Sequence, residues 1–72
     1  MRKKARQRAE QYRLRAEELR HLGQLTNNPM IKQHYEKIAD SYLTLAEEED
    51  TFAQRAEELE TALADRRRSA SR

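Results

Sequence analysis

The sequence has no cysteine and no tryptophan, and only one glycine (Gly23) and one proline (Pro29). Without cysteine there is neither a disulfide framework nor a thiolate zinc site, so two common staples of small domains are excluded. No apolar run approaches the ~18 residues that a membrane span requires. No hydrophobic signal-like core follows the basic start, which makes a cytoplasmic location the expectation. A single glycine also leaves no glycine-rich phosphate loop, and no nucleophile stands beside a base in any recognised pattern. The chain is therefore expected not to be an enzyme and to need no cofactor.

Charge is abundant. Charged residues make up 39% of the chain and mean hydropathy is −1.23, a balance that fits either a long helix or a disordered segment. The stretch from Asn28 to Arg66 decides between them. Steps of four and three from Ile31 reach Tyr35, Ile38, Tyr42, Leu45, Glu49, Phe52, Ala56, Leu59, Leu63 and Arg66, and all but Glu49 and Arg66 are apolar. A 3.5-residue repeat held over this length marks a long helix with a narrow apolar seam. Ala39, Ala46 and Ala53 recur every seven residues beside it and widen the seam with small side chains. Such a helix needs a cover, because helices draw most of their stability from packing.

The first part of the chain supplies one. A helix over about 2–24 presents Ala5, Ala9, Tyr12, Ala16 and Leu19, again spaced four and three, with Leu22 and Leu25 continuing the stripe. Its first turns offer only alanine, which predicts weak packing and fraying. Gly23 sits where a C-terminal cap belongs. Asn28 is placed to cap a second helix over about 29–66, with Pro29 at its first position. A turn over about 23–28 between two seam-bearing helices gives an antiparallel hairpin spanning 1–68, with a disordered tail at 69–72. The expected fold is all-α: a two-helix hairpin with a longer second helix.

Charge runs in blocks. Residues 1–15 carry seven basic side chains against Glu10, and residues 47–60 carry seven acids against Arg55. A chain that reverses near 26–28 sets residues whose numbers sum to about 55 opposite one another. That places Arg6 against Glu49 and Arg8 against Glu47, so the basic start, unfavourable at a helix N-terminus, finds an acidic partner. The same rule leaves the seam beyond about residue 53 uncovered. Phe52, Ala56, Leu59 and Leu63 are the candidate oligomer contacts, while Tyr12, Ala16, Leu19, Ile31, Tyr35, Ile38, Tyr42 and Leu45 form the seam within the chain. A homo-oligomer is expected, most simply a dimer that builds a four-helix bundle or coiled coil; an unidentified protein partner is the other option.

One short recipe occurs three times: an aromatic residue, three others, then Ala-Glu-Glu, starting at Tyr12, Tyr42 and Phe52. Together, Tyr12-x-x-x-Ala16-Glu17-Glu18-Leu19-Arg20, the Asn28-Pro29 turn and Ile38-Ala39-x-x-Tyr42-x-x-Leu45-Ala46-Glu47 resemble a group of short uncharacterised alphaproteobacterial proteins. The resemblance covers roughly residues 9–50. It implies a helical hairpin in a bacterial cytoplasm and carries over no activity or binding residue.

Two chemical patterns need weighing. Glu18-x-x-His21 has the spacing of a helix-borne metal ligand pair, with His34 near His21 across the turn, yet no further inward glutamate completes a site. No metal is expected. Arg66, Arg67 and Arg68 are candidate phosphate contacts, but no aromatic residue interleaves the basic ends and no nucleic-acid-reading motif is present. The sequence thus favours a non-enzymatic interaction or regulatory module that self-associates through its heptad seam. The alternative is weak, sequence-independent association with nucleic acid through the basic ends; membrane binding is not expected.

Overall fold

In the computed structural model, which describes residues 2–70, the Asn28 side chain organises the turn. Its Oδ1 accepts hydrogen bonds from the amides of Met30 at 2.9 Å and Ile31 at 3.4 Å. The Asn28 carbonyl accepts the first intrahelical bond from the Lys32 amide at 3.0 Å. These bonds satisfy amides that a helix start leaves without partners, and Pro29 follows at the one position where a missing amide hydrogen costs nothing. The Asn28 amide in turn donates to Thr26 Oγ1 at 3.3 Å, which closes the loop over 26–28.

Two helices result, α1 (Arg2–Leu25) and α2 (Pro29–Ala70), with no strand among the described residues. They pack antiparallel as a hairpin. At the ~1.5 Å rise of an α-helix, α2 alone spans about 63 Å, and the described chain measures 68 × 14 × 12 Å. The hairpin is therefore one helix long and two helices thick.

The core departs from expectation. Among the described residues no large side chain is fully buried; the buried ones are Ala5, Ala9, Ala16, Gly23, Ala39, Ala46 and Ala53. Ala9, Ala16 and Gly23 repeat every seven residues on α1, and Ala39, Ala46 and Ala53 do the same on α2. A seven-residue spacing keeps each set on one face. Small side chains let two helices approach to the near end of the usual ~8–10 Å separation, so the alanines form the line of contact rather than its margin. The first turns, where only alanine is offered, are in contact with α2 on the same ground. Ala5 and Ala9 are fully buried because the close approach encloses a methyl group completely.

Gly23 does not act as a cap either. It lies within α1 without a positive φ, and the helix continues to Leu25. A Cβ at this position would stand 3.5 Å from the Tyr35 Cβ and 3.7 Å from the Lys32 carbonyl oxygen, so Gly23 extends the small-residue line to the turn. At the far end, α2 runs through Ser69 and Ala70, where the sequence suggested a disordered tail; Ser71 and Arg72 lie outside the described residues. Arg67 and Arg68 in the last turn favour the negative end of the helix macrodipole, and Arg68 Nη2 reaches Asp65 Oδ1 at 3.9 Å.

Candidate interaction surface

The two flanks of the alanine line differ in kind. Four residues after each small position stand Arg13 and Arg20 on α1, with Arg6 one heptad earlier, and Leu43, Asp50 and Glu57 on α2. This flank carries three ion pairs between the helices. Arg6 donates from Nε at 3.2 Å and Nη2 at 2.5 Å to Glu57 Oε1. Arg13 donates to Asp50 Oδ2, and Arg20 Nη2 lies 3.6 Å from Asp40 Oδ1. Three of the heptad-spaced arginines are thus committed to carboxylates of α2.

The opposite flank is apolar. Three residues after each small position stand Tyr12 and Leu19 on α1, and Tyr42, Glu49 and Ala56 on α2, with Tyr35 and Leu63 a heptad beyond at either end. The Tyr12 and Tyr42 rings pack tilted, with centroids 6.0 Å apart. The single acid on this flank, Glu49, is held by Arg8, which donates from Nε to Oε1 and from Nη2 to Oε2, each at 3.0 Å. This is the planar fork that suits a guanidinium to a carboxylate.

These pairs correct the expected register. Arg6 meets Glu57, not Glu49, and Arg8 meets Glu49, not Glu47. Counting levels along the hairpin ignored which flank each side chain occupies: Arg6 and Glu49 lie on opposite sides of the alanine line. Long side chains also lean toward their own helix N-terminus, which carries an α1 arginine toward higher-numbered residues of α2. Both guanidinium pKa values are raised above the ordinary arginine value, first by these hydrogen bonds; burial opposes the shift and the facing carboxylate charge adds to it. On the guanidinium side, a raised basic pKa means a contribution that is present below the unfolded value and is lost as pH climbs through the folded one.

Beyond the tyrosine flank lies a further row, one residue before each α2 alanine: Ile38, Leu45 and Phe52, with Ile31 and Leu59 a heptad away at either end. Of the residues expected to form the seam within the chain, Ala16 is buried and Tyr12, Leu19, Tyr35, Ile38 and Tyr42 are half-buried. Ile31 and Leu45 are exposed, since this row lies farther round α2 from α1 than the tyrosine flank does. Of the expected oligomer contacts, Ala56 is half-buried, while Phe52, Leu59 and Leu63 stand 52%, 61% and 42% exposed. Every residue from Glu58 to Ala70 is exposed, beyond the level at which Arg6 of α1 meets Glu57. The outcome is a continuous apolar strip along one side of α2, extending onto Tyr12 and Leu19.

Other candidates do not converge. His21 and His34 are exposed, Glu18 faces Arg15 at 3.5 Å, and no group of three or more metal-ligating side chains forms among the described residues. Ser41, Thr44, Thr51 and Thr61 return their hydroxyls to the carbonyl four residues back in their own helix. Arg66 and Arg67 lie exposed at the end of α2. No described helix is long and apolar enough to cross a membrane.

No protein-family model, no curated protein and no solved structure matches this chain.

Proposed function

We propose that the protein is a non-enzymatic helical interaction module that self-associates through the apolar side of α2, most simply as a dimer. The observation that carries this reading is the mismatch between what the hairpin buries and what it displays. It encloses methyl groups, yet leaves Ile31, Leu45, Phe52, Leu59 and Leu63 between 40% and 61% exposed along one side. Burying a large apolar side chain contributes roughly 1.5–3 kcal/mol. These side chains are already partly covered, so each contributes about half of that, and ten of them from two copies still reach the scale of the ~4–15 kcal/mol that association costs. The 3.5-residue spacing of the strip suits it to another helix rather than to a small molecule. A bacterial cytoplasmic setting is in keeping with the resemblance to short alphaproteobacterial chains, which adds no role of its own.

Nucleic-acid association is the weaker reading. Arg6, Arg8, Arg13 and Arg20 face carboxylates of α2, so much of the basic charge is answered within the chain. The test is sedimentation equilibrium of the protein beside its Leu59→Lys/Leu63→Lys variant. The parent should form a dimer, and the variant should move toward monomer with reduced helicity. A parent that stays monomeric throughout the accessible concentration range would overturn the proposal.

A further inference from the structure

Resting on that reading, the charges beside the strip go further and define how two copies meet. Glu48 and Arg55 are seven residues apart, two residues before Asp50 and Glu57, and stand on the outer edge of the strip away from α1. Both are exposed, and neither has an ion-pair partner among the described residues. They share a shallow depression with Phe52.

In two helices packed antiparallel through one heptad seam, residues of the same flank face each other; in a parallel pair, opposite flanks meet. From this geometry we infer that the second copy lies antiparallel along α2, about a two-fold axis between Asp50 and Thr51, with Glu48 of each copy facing Arg55 of the other. This register lays Leu45 against Ala56, Tyr42 against Leu59, and Ile38 against Leu63 of the second copy. The segment beyond Glu57, exposed in one hairpin, then covers the half-buried residues near the turn of the other.

Neighbouring registers are disfavoured by charge. Sliding the copies by one heptad one way brings Glu48 against Glu48; the other way brings Arg55 against Arg55. A parallel pair sets Glu48 and Arg55 against the alanine flank, which α1 already covers. Only the register centred between Asp50 and Thr51 faces each charge with its opposite twice. It also places α1 of both copies on the same side of the α2 pair, the corners of a four-helix bundle.

The test uses charge reversal read by sedimentation equilibrium at low salt. Glu48→Arg alone and Arg55→Glu alone should each weaken the dimer by about tenfold, since each turns two attractions into two repulsions. Mixing the two variants should restore parent affinity, because the mixed pair faces unlike charges at both sites. Helicity at dimer-forming concentration reports that each variant folds. A nitroxide on Ser41→Cys, unique in a chain without cysteine, gives a second readout. Its separation between copies should be about 30 Å from the ~1.5 Å helical rise, against about 10–15 Å for a parallel pair. A parent dimer in which reversals and mixing have no effect, or in which the labels lie at the short distance, overturns the inference while leaving self-association intact. A parent that never dimerises overturns both.

Discussion

Arg8 grips Glu49 with both arms of its guanidinium, and in doing so it neutralises the one acid within the apolar flank of the hairpin. The neighbours of Glu49 along that side are Tyr42, Leu45, Phe52 and Ala56. A carboxylate there is tolerated because its two oxygens are already engaged, and because the arginine that engages them comes from the chain's own first helix. Fold and surface are coupled at this point: the docking of α1 decides whether the strip on α2 carries an uncompensated charge.

The pair is expected to behave as a unit. Arg8→Glu should lower the thermal midpoint of helix loss at low salt, and Glu49→Arg should do the same, whereas the double exchange should recover most of the loss. The effect should shrink as salt is added, since both side chains remain partly in water. Thermal melts by circular dichroism check this. Equal midpoints for the single and double variants would show that the fork seen between Arg8 and Glu49 does not contribute to docking.

A second expectation concerns the line of contact. Ala46 is almost fully buried at the centre of the hairpin, whereas Ala64 is exposed on the overhang. Leucine at position 46 has to part the helices or adopt a strained rotamer, and overpacking of this kind costs about 1–3 kcal/mol. Leucine at 64 meets nothing within the chain. Denaturant unfolding should therefore show Ala46→Leu destabilised and Ala64→Leu close to the parent, although by apolarity alone both substitutions strengthen the helix pattern.

This contrast also explains what the sequence made legible. The turn was readable because Asn28 and Pro29 act locally: the cap needs only amides two and three residues away. The two helices were readable from the heptad spacing, and their antiparallel pairing from the short turn between them. What periodicity could not say was which edge of a broad apolar stripe faces α1. Large residues suggested the centre, but alanine allows the closer approach, so the seam turned toward Ala39, Ala46 and Ala53 and left Leu45 and Phe52 outside. The signal was nonetheless present. Arg6, Arg13 and Arg20 repeat every seven residues, as do Leu43, Asp50 and Glu57, and aligning those rows fixes the charged flank and hence the orientation. The third copy of the aromatic-x-x-x-Ala-Glu-Glu recipe follows the same logic. Phe52 lies ten residues after Tyr42 rather than seven, which rotates it from the tyrosine flank to the outer row, where it is 52% exposed.

The last expectation follows from Gly23. Glycine inside a helix costs roughly 0.5–1 kcal/mol relative to alanine, because its backbone loses more freedom on folding. That cost is usually offset by a conformation or a close approach that only glycine permits. Neither applies in full at this position. Its φ is not positive, so no left-handed geometry has to be preserved. The nearest atoms to an added Cβ are the Tyr35 Cβ at 3.5 Å, the Lys32 carbonyl oxygen at 3.7 Å and the Lys32 Cγ at 3.9 Å, all ordinary van der Waals separations. Gly23→Ala should therefore stabilise the hairpin by about 0.5–1 kcal/mol through helix propensity and a less free unfolded chain. It also extends the alanine line by one heptad on α1. A larger residue has no such room: Gly23→Leu should part α1 from the first turns of α2 and destabilise by about 1–3 kcal/mol. Equilibrium urea unfolding of the three proteins gives the order directly. Loss of stability in the alanine variant would mean that the helices approach more closely at Gly23 than the separation from Tyr35 allows.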